Sequence, residues 1–394
     1  MNSRILKLAD KYYPSARKLR RYLHQHPELS FEEKETAGKL REQLKPLGLK
    51  ISKSIAGTGF TALLEGNRDG KIVGFRTDMD ALPITEDTGL PFSSKHSGRM
   101  HACGHDMHMS IAIGIARILS EMRSDLRGAV KFIFQPAEES PPGGAIQMVE
   151  AGVLKSPDVD TILALHVDPA IPVEKLGIRD GVMMANVIDF DIEVKGDGGH
   201  ACQPDRCTDA VVVAANLVTQ LQNIVSRSVD PLEPAVLTFG KIDGGSARNS
   251  IADRVLLEGT MRSLSRKTEA RMRRLLERTC RHVTKASGAS YEIHYIAGYP
   301  QLKNDAVMND HIRCAARELF GKRSVIELDA PIMGAEDFAR YLEHVPGAMF
   351  RLGIRNKKIG AVYPWHHSKF MADERAIKVG MAVCAKALFD ILET

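Results

Sequence analysis

Apolar side chains along the first half of the chain follow two periodicities that alternate with each other. Helical spacing of apolar residues predicts helices at residues 5–24, 32–44, 107–122 and 145–150. Short apolar runs predict strands at residues 60–64, 71–76, 129–135 and 161–167. Strands that alternate with helices are typical of a mostly parallel sheet lying between helices, so this part of the chain is predicted to be an α/β domain.

The pattern changes near Met184. Between residues 188 and 195 apolar and charged side chains alternate, which is typical of a strand with one solvent-exposed face in an antiparallel sheet. More strands and two helices follow as far as residue 298, and the α/β pattern then resumes and ends in a long helix from Glu374. We therefore predict a discontinuous α/β domain, residues 1–184 and 299–394, and an inserted α+β sandwich, residues 185–298.

Charge and composition exclude several classes of protein. Lys and Arg exceed Asp and Glu by only 54 − 49 = 5 residues, and acidic residues are interspersed throughout, so neither a nucleic acid nor a membrane partner is indicated. The densest basic run, residues 17–21, falls in an amphipathic helix pattern and is interpreted as a solvated helix face. The N-terminus lacks a secretory signal pattern and no apolar run is long enough to cross a membrane, so we expect a cytoplasmic protein.

The six cysteines are scattered without regular spacing. In a chain of this length they are interpreted as reduced thiols and not as a disulfide framework. Cys280, Cys314 and Cys384 lie in helical patterns, where we expect them to be buried as small apolar residues.

The segment from His101 to His108 holds three imidazoles, a thiol and a carboxylate. Cys103 and His105 stand on either side of a glycine. Alternate residues of an extended segment share a face, so both side chains are expected to point towards one position. Cysteine, histidine and carboxylate are the ligands that zinc and related transition metals prefer, which predicts a metal site completed by ligands from elsewhere in the chain.

Further candidate ligands follow other predicted strands. The adjacent carboxylates Glu138 and Glu139 come directly after a buried strand, where an ordinary acidic turn is the alternative interpretation. His166 ends a wholly apolar strand, a position where a histidine is more often a core residue. His366 and His367 lie in a loop rich in proline and aromatic residues. Because loops that follow parallel strands meet at one edge of a sheet, the combination favours one metal site at that edge.

Together with these clusters, longer motifs resemble the dinuclear-metal aminoacylase/carboxypeptidase family. The resemblance is to the branch of hippurate hydrolases, auxin-conjugate amidohydrolases, thermostable carboxypeptidases and N-acyl-L-amino acid amidohydrolases. The matching motifs run nearly from end to end: His26-Pro27-Glu28-Leu29-Ser30-Phe31, Arg76-Thr77-Asp78-Met79-Asp80-Ala81-Leu82-Pro83, Met100-His101-Ala102-Cys103-Gly104-His105-Asp106, Phe134-Gln135-Pro136-Ala137-Glu138-Glu139, Gly198-Gly199-His200-Ala201, Gly259-Thr260-Met261-Arg262 and Met333-Gly334-Ala335-Glu336-Asp337-Phe338. The resemblance implies that the α/β domain is catalytic and that the insert is a lid or dimerisation domain.

The resemblance also implies a site for two divalent metal ions per subunit. By motif position, the metal ligands would be Cys103, His105, Glu139, His166 and His366. Cys103 would bridge the two ions, which are expected to be zinc, with manganese, cobalt or nickel as alternatives. His366 is preferred to His367 because the family places this ligand four residues before a phenylalanine, here Phe370.

Four neighbouring side chains are expected to support the ligands without binding metal. His101 and His108 would lie behind the ligands, as packing or supporting residues. Asp78 and Asp80 would orient the ligands through hydrogen bonds, a role that metal sites generally need.

The chemistry implied by the resemblance is amide hydrolysis. Two ions would lower the pKa of a shared water to near neutrality, and the metal-bound hydroxide would attack the amide carbonyl. Glu138 would take the water's proton as general base and return it to the leaving amine as general acid. His200 would donate to the oxyanion from the partner subunit of a homodimer or higher homo-oligomer, with an ordinary surface-turn histidine as the alternative.

Substrates of this family carry a free carboxylate. Asn249 and Arg262 match family positions on the insert and are candidate carboxylate-binding residues. Gly334 is expected to begin a helix whose backbone N–H groups add to the same site.

The predicted reaction is metal-dependent hydrolysis of N-acyl or N-aminoacyl L-amino acids, of aminoacylase or carboxypeptidase type. A dedicated biosynthetic deacetylase, for example of N-acetyl-diaminopimelate, is one alternative, and a non-catalytic binding protein that keeps the fold is another. Asp205 stands where the family commonly has a histidine, and Cys202 and Cys207 are absent from its usual pattern, so the sequence leaves substrate specificity open. A redox or extra metal-binding role for this cysteine pair is a further alternative.

Overall fold

The computed structural model describes all 394 residues, Met1–Thr394. The chain divides into two units. The first unit contains Met1–Met183, Lys303–Ala330 and Asp337–Thr394. The second contains Met184–Leu302 and also Pro331–Glu336, a short segment beyond the predicted insert.

Helices and strands alternate in the first unit and are grouped differently in the second. The helices are α1 Asn2–Gln25, α2 Lys34–Leu44, α3 His105–Glu121, α4 Gly144–Glu150, α5 Ala210–Leu221, α6 Arg266–Ser287, α7 Ala306–Phe320, α8 Ala339–Leu342 and α9 Arg375–Glu393. The strands are β1 Lys50–Ile51, β2 Phe60–Glu65, β3 Arg68–Asp78, β4 Arg127–Gln135, β5 Thr161–Pro172, β6 Leu176–Ile178, β7 Gly181–Met184, β8 Asn186–Lys195, β9 Gly199–His200, β10 Ala235–Gly244, β11 Ser250–Ile251, β12 Arg254–Ser263, β13 Ser290–Ala297, β14 Leu302–Asn304, β15 Val325–Glu327 and β16 Gly347–Arg355.

The first unit is built on an eight-stranded sheet with the order β1-β2-β4-β3-β5-β16-β6-β15. Its central strands β4, β3, β5 and β16 are parallel, whereas β1 and β2 are antiparallel to their neighbours. Seven consecutive residues of β4, from Ala129 to Gln135, are buried, as expected for a strand covered on both faces. Helices flank this sheet, so the predicted α/β class is confirmed.

The second unit contains a four-stranded antiparallel sheet in the order β10-β12-β8-β13. In β8, Ile188, Phe190, Ile192 and Val194 are buried, and the charged residues between them are partly exposed. The buried face packs against α5 and α6 in a core of its own. The alternation seen in the sequence therefore corresponds to one covered and one wet face.

Two sequence interpretations of surface and core positions are each wrong at one residue, Cys314 and Arg20. Cys280 and Cys384 are buried, but Cys314 is exposed, because α7 buries its other face through Met308 and Ile312. Arg20, placed on a solvated helix face by its neighbours in the basic run, is only 1% exposed. None of the helices has both the length and the apolar character that crossing a bilayer requires.

Candidate metal centre

The predicted ligands come together beside the ends of β3 and β4. His166 does not end its strand, as the sequence predicted, but lies within β5, Thr161–Pro172. Ligand atoms of Cys103, His105 and His166 lie within 4.8 Å of one another. Those of Cys103, Glu139 and His366 form a second group, whose members also lie within 4.8 Å of one another. Cys103 belongs to both groups, so its thiol lies where the two meet. The structure therefore brings all five predicted ligands together, in an arrangement suited to two ions with one shared ligand.

Cys103 and His105 converge through a turn and not through an extended segment. Gly104 adopts a left-handed conformation with φ of 88°, and α3 begins at His105. A Cβ atom at position 104 would lie 2.4 Å from Cγ2 of Val167, so glycine is required by both conformation and space. The expected extended geometry is wrong, and the turn at the helix start aims both side chains at one place.

Hydrogen bonds orient the rings of His105 and His166. Nδ1 of His105 lies 2.8 Å from the carbonyl oxygen of Asp80, and Nδ1 of His166 lies 2.8 Å from that of Val167. A ring that donates from Nδ1 keeps its lone pair on Nε2, the form that binds metal. Nε2 of His166 lies 3.4 Å from Sγ of Cys103. Nε2 of His105 is buried without a hydrogen-bond partner, as a ring poised to bind a cation would be.

The cluster carries negative charge that cations would balance. Burial, together with the neighbouring Glu139 and Glu138, raises the pKa of the Cys103 thiol well above its usual range. Burial alone would favour a neutral His105 ring, but nearby carboxylates, Asp78 first, raise the pKa of His105 to about 10. Divalent cations at this position would stabilise the Cys103 thiolate and displace the proton from His105. Ligand type, tautomer and charge thus all fit a pair of divalent ions.

The turn that carries Glu138 and Glu139 is fixed by Asp80. Its two carboxylate oxygens accept hydrogen bonds from the backbone N–H groups of Glu138, at 3.1 Å, and Glu139, at 3.0 Å. Ser30 donates a further hydrogen bond to Asp80 at 2.7 Å. Asp80 therefore fixes the backbone of both acidic residues and, through its carbonyl, orients the ring of His105.

Glu33 supports the same turn and was not identified from the sequence. Its buried carboxylate accepts hydrogen bonds from the N–H group of Ala137 at 2.9 Å and from the hydroxyl of Thr58 at 2.6 Å. Ala137 has a positive φ of 52°, a conformation that needs outside support in a residue other than glycine. In the sequence Glu33 is one of several acidic residues at the start of a helical pattern, and nothing distinguishes it.

His108 lies beside the ligands but uses both ring nitrogens elsewhere. Nδ1 lies 2.7 Å from the carboxylate of Asp78, and Nε2 accepts from the backbone N–H group of Val167 at 2.9 Å. His108 and Asp78 therefore contact each other and support the site without His108 offering a free ring nitrogen to a metal ion. The pair fixes the backbone next to His166.

Arg76 joins this support to more distant parts of the first unit. Its guanidinium donates to Asp78 at 2.7 Å, to Asp337 at 2.8 Å and to Gln135 at 2.8 Å. Asp337 also accepts from the N–H group of Ala145, near the start of α4, at 3.0 Å. Arg76, Asp78 and Asp337 are almost completely buried. One cation thus offsets two buried carboxylates and joins β3 to the last residue of β4 and to Asp337.

We expect Arg76→Met to destabilise the protein strongly. Removing the guanidinium leaves Asp78 and Asp337 buried without their cation, which should lower the free energy of unfolding by about 3–5 kcal/mol. Denaturant unfolding in the presence of a chelator measures this effect without a contribution from bound metal. Arg68→Met, on the exposed end of the same strand, is the matched control and should change stability little. Equal stability of the two variants would contradict the assigned role.

A second buried network lies behind His105. Asp106 pairs with Arg20 at 2.7 Å and with Nδ1 of His24 at 2.9 Å. Although burial disfavours a carboxylate, these two groups hold the pKa of Asp106 well below its usual range. The network joins α1 to the first turn of α3. Nearby, burial lowers the pKa of His101 to about 4, so this ring is neutral at physiological pH.

The two histidines of the C-terminal loop, His366 and His367, have different partners. Nε2 of His366 lies 3.3 Å from Oε1 of Glu139, and its backbone N–H donates to the carbonyl of Ala102 at 2.9 Å. His367 instead accepts from the backbone of Lys369 and stacks on Tyr363. His366 is therefore the histidine that the fold brings to the ligand cluster.

His200 and Asn249 lie close together in the second unit. Residue 200 is in β9, which pairs with β11, and the carbonyl of Asn249 accepts from the N–H group of Ala201 at 3.1 Å. The exposed ring of His200 is oriented by a hydrogen bond of 3.2 Å from the N–H group of Cys202 to Nδ1. Nε2 is left available as a donor.

Arg262 contacts the segment that contains Gly334. Its Nη1 donates to the carbonyl of Met333 at 3.0 Å. Gly334 does not begin a helix, because α8 starts only at Ala339. The carbonyl of Gly334 instead accepts a hydrogen bond from the N–H group of Ala185 at 3.0 Å. The expectation of a helix N-terminus at Gly334 is wrong.

Comparisons with known proteins agree on one family. Residues 74–390 match the model described as Peptidase family M20/M25/M40. The chain is 40% identical over 359 residues to the N-acetyl-L-cysteine deacetylase of Bacillus subtilis (strain 168), covering 91% of this chain and 84% of that protein. It is 41% identical over 365 residues to the N-acetyldiaminopimelate deacetylase of Geobacillus sp. (strain WCH70), covering 92% and 94%. Among solved structures, the YXEP protein of Bacillus subtilis, a dinuclear metal binding peptidase from the M20 family, superposes with a TM-score of 0.85 at 34% identity, covering 98% and 99%.

Proposed function

Since this chain belongs to peptidase family M20/M25/M40 and is a hydrolase of that family, we propose that it cleaves the amide bond of N-acyl-L-amino acids. The observation that carries the proposal is the pair of ligand groups that share Cys103, with Glu138 beside them. Two relatives named as deacetylases of N-acetylated amino-acid derivatives support the acyl-amino-acid substrate class. N-aminoacyl substrates, as a carboxypeptidase would cleave, contain the same amide beside a carboxylate and belong to the same proposal.

Glu138 is the proposed proton carrier. When bound, two divalent ions would lower the pKa of a water molecule and polarise the amide carbonyl. The Glu138 carboxylate accepts a proton from the water as its oxygen bonds to the carbonyl carbon, and then gives that proton to the amine nitrogen as the C–N bond breaks. One carboxylic acid and one amine leave, and Glu138 is again ionised. The hydrogen bond from its backbone N–H to Asp80 fixes the backbone from which this side chain extends.

The second unit is proposed to supply binding groups. Arg262 retains guanidinium N–H groups that make no hydrogen bond within the protein, and we assign it the substrate carboxylate together with Asn249. His200 is assigned the oxyanion, from the partner subunit of a dimer. This assignment derives from the family resemblance and from the free Nε2 of the His200 ring.

A dedicated deacetylase of N-acetyldiaminopimelate is the second candidate. It is favoured by the relative of that name from Geobacillus, which matches this chain over nearly its whole length. The two candidates differ in breadth of specificity. A broad enzyme accepts many side chains, whereas a dedicated one accepts a single polar substrate with two ionised ends.

A substrate panel on metal-quantified protein tests both candidates. The panel contains N-acetyl derivatives of several L-amino acids, N-acetyl-L-cysteine, N-acetyl-diaminopimelate and N-benzoylglycine, each followed by release of the amine. The controls are the D-enantiomers of the chiral substrates and, separately, the carboxamide of each substrate, which lacks a free carboxylate. Cleavage of several L-substrates with little cleavage of the carboxamides supports the main proposal. Cleavage of N-acetyl-diaminopimelate alone supports the second, and cleavage of none contradicts both.

Removing the metal should abolish activity reversibly. The five predicted ligands would hold the ions, whereas the buried pairs Arg76–Asp78 and Arg20–Asp106 form without metal, so chelation should leave a folded but inactive enzyme. Activity and metal content are measured before chelation, after it, and after adding back zinc, manganese, cobalt or nickel separately. Full activity in protein verified to hold no metal would overturn the proposed reaction.

A further inference from the structure

A second cavity lies in the first unit and shares no residue with the metal centre. It is bounded by α1, the turn after β5, the end of α7 and the start of α9, and has a volume of about 540 Å³. Sites for small organic molecules in proteins have volumes of roughly 300–1,000 Å³. The volume of this cavity therefore falls within the range of sites that bind small organic molecules.

The floor of this cavity is apolar. Val379 is buried, and Tyr13, Val173 and Phe320 are partly buried side chains that pack on the main core and line the cavity. Water in contact with such a concave apolar floor is displaced favourably by an apolar group. The floor thus favours a ligand with a hydrocarbon or aromatic body.

The rim carries positive charge that the protein does not use. Arg375 is paired with Asp373 at 2.8 Å and Glu174 at 3.3 Å, and Lys378 is paired with Asp10 at 2.9 Å. In contrast, the Lys175 ammonium and the Arg323 guanidinium form no ion pair and no hydrogen bond. The other lining side chains include one carboxylate, Glu174, which Arg375 already engages. Two cations therefore remain free beside an apolar floor.

We propose that this cavity binds a small amphiphilic carboxylate. The apolar body covers Val173, Phe320 and Val379, and the carboxylate pairs with Lys175 and Arg323, whose guanidinium suits a planar two-oxygen partner. An inorganic anion would leave the floor exposed, and a neutral apolar molecule would leave the two cations without a partner. The site does not depend on the reaction at the metal centre.

Calorimetric titration of the full chain with three matched probes tests the ligand class. Octanoate, below its micellar concentration, combines charge and hydrocarbon; 1-octanol lacks the charge and inorganic phosphate lacks the hydrocarbon. Octanoate should bind saturably and at least about tenfold more tightly than either of the others. The absence of saturable octanoate binding, or phosphate binding of equal strength, overturns the proposal.

Variants locate the binding on the protein. The double variant Lys175→Gln/Arg323→Gln should weaken octanoate binding about tenfold or more, while activity towards N-acyl-amino acids stays unchanged. Lys322→Gln removes an exposed cation next to Arg323 that does not line the cavity, and it should leave binding as it was. Val173→Glu, which places a carboxylate against the floor, should abolish binding independently. Octanoate binding that is the same in the double variant and in Lys322→Gln places the ligand elsewhere and refutes the site.

Discussion

Replacing Glu138 by glutamine should lower kcat by about 10²–10⁴-fold and leave metal content unchanged. Glutamine has nearly the same size, so the turn and its hydrogen bonds to Asp80 are retained. The amide cannot accept the proton of the attacking water or pass it to the leaving amine. Steady-state kinetics and metal analysis of the same preparation measure the two effects separately.

Glu139→Gln is the matched control for this experiment. Glu139 is one residue away and held by the same Asp80, but its carboxylate lies 3.3 Å from Nε2 of His366, within a ligand group. This variant should lose metal as well as activity, and added metal should restore part of its activity. A Glu138→Gln variant with near-normal kcat, or with the metal loss expected of Glu139→Gln, would remove the general-base assignment.

The fold class was predictable because the signals that define it are local. The apolar run at 129–135 predicts a strand buried on both faces, and the alternation at 188–195 predicts a strand buried on one face, each without information from the rest of the chain. Both strands have the expected burial in the structure. The absence of a helix at Gly334 was not predictable in this way. The helix that does form, α8, has four residues and starts after Asp337, whose carbonyl accepts from the N–H group of Arg340. Such a short helix depends on tertiary contacts more than on its own sequence.

The ligand cluster was predictable in its residue types but not in its support. Cysteine, histidine and carboxylate at strand ends are chemically distinctive, and the structure brings the chosen five together. Arg20, Glu33 and Asp337 are charged residues of a common kind, and their burial follows from partners distant in the chain. A single sequence holds no local pattern for such pairs. Buried charged side chains of this kind, whether paired with an opposite charge or held by hydrogen bonds, therefore appear only once the fold is known.

Subunit complementation should show whether His200 acts on the metal centre of a partner chain. We expect His200→Ala to lose most activity while keeping its metal, because the exposed ring is absent from the ligand groups. His294→Ala, an exposed histidine on β13 of the same unit, is the matched control and should remain active. Neither change removes a buried side chain, so stability should not distinguish the two variants.

Mixing His200→Ala with Glu138→Gln gives the decisive measurement. If the histidine acts in trans, each mixed dimer contains one site with both Glu138 and His200 and one site with neither. Random reassembly makes half of the dimers mixed, so activity should recover to about a quarter of the wild-type value per chain. If the histidine acts within its own chain, both sites of a mixed dimer lack one group and no activity returns. Recovery is measured after dissociation and reassembly, with each variant alone as the baseline, and the absence of recovery between subunits shown to exchange would contradict the trans arrangement.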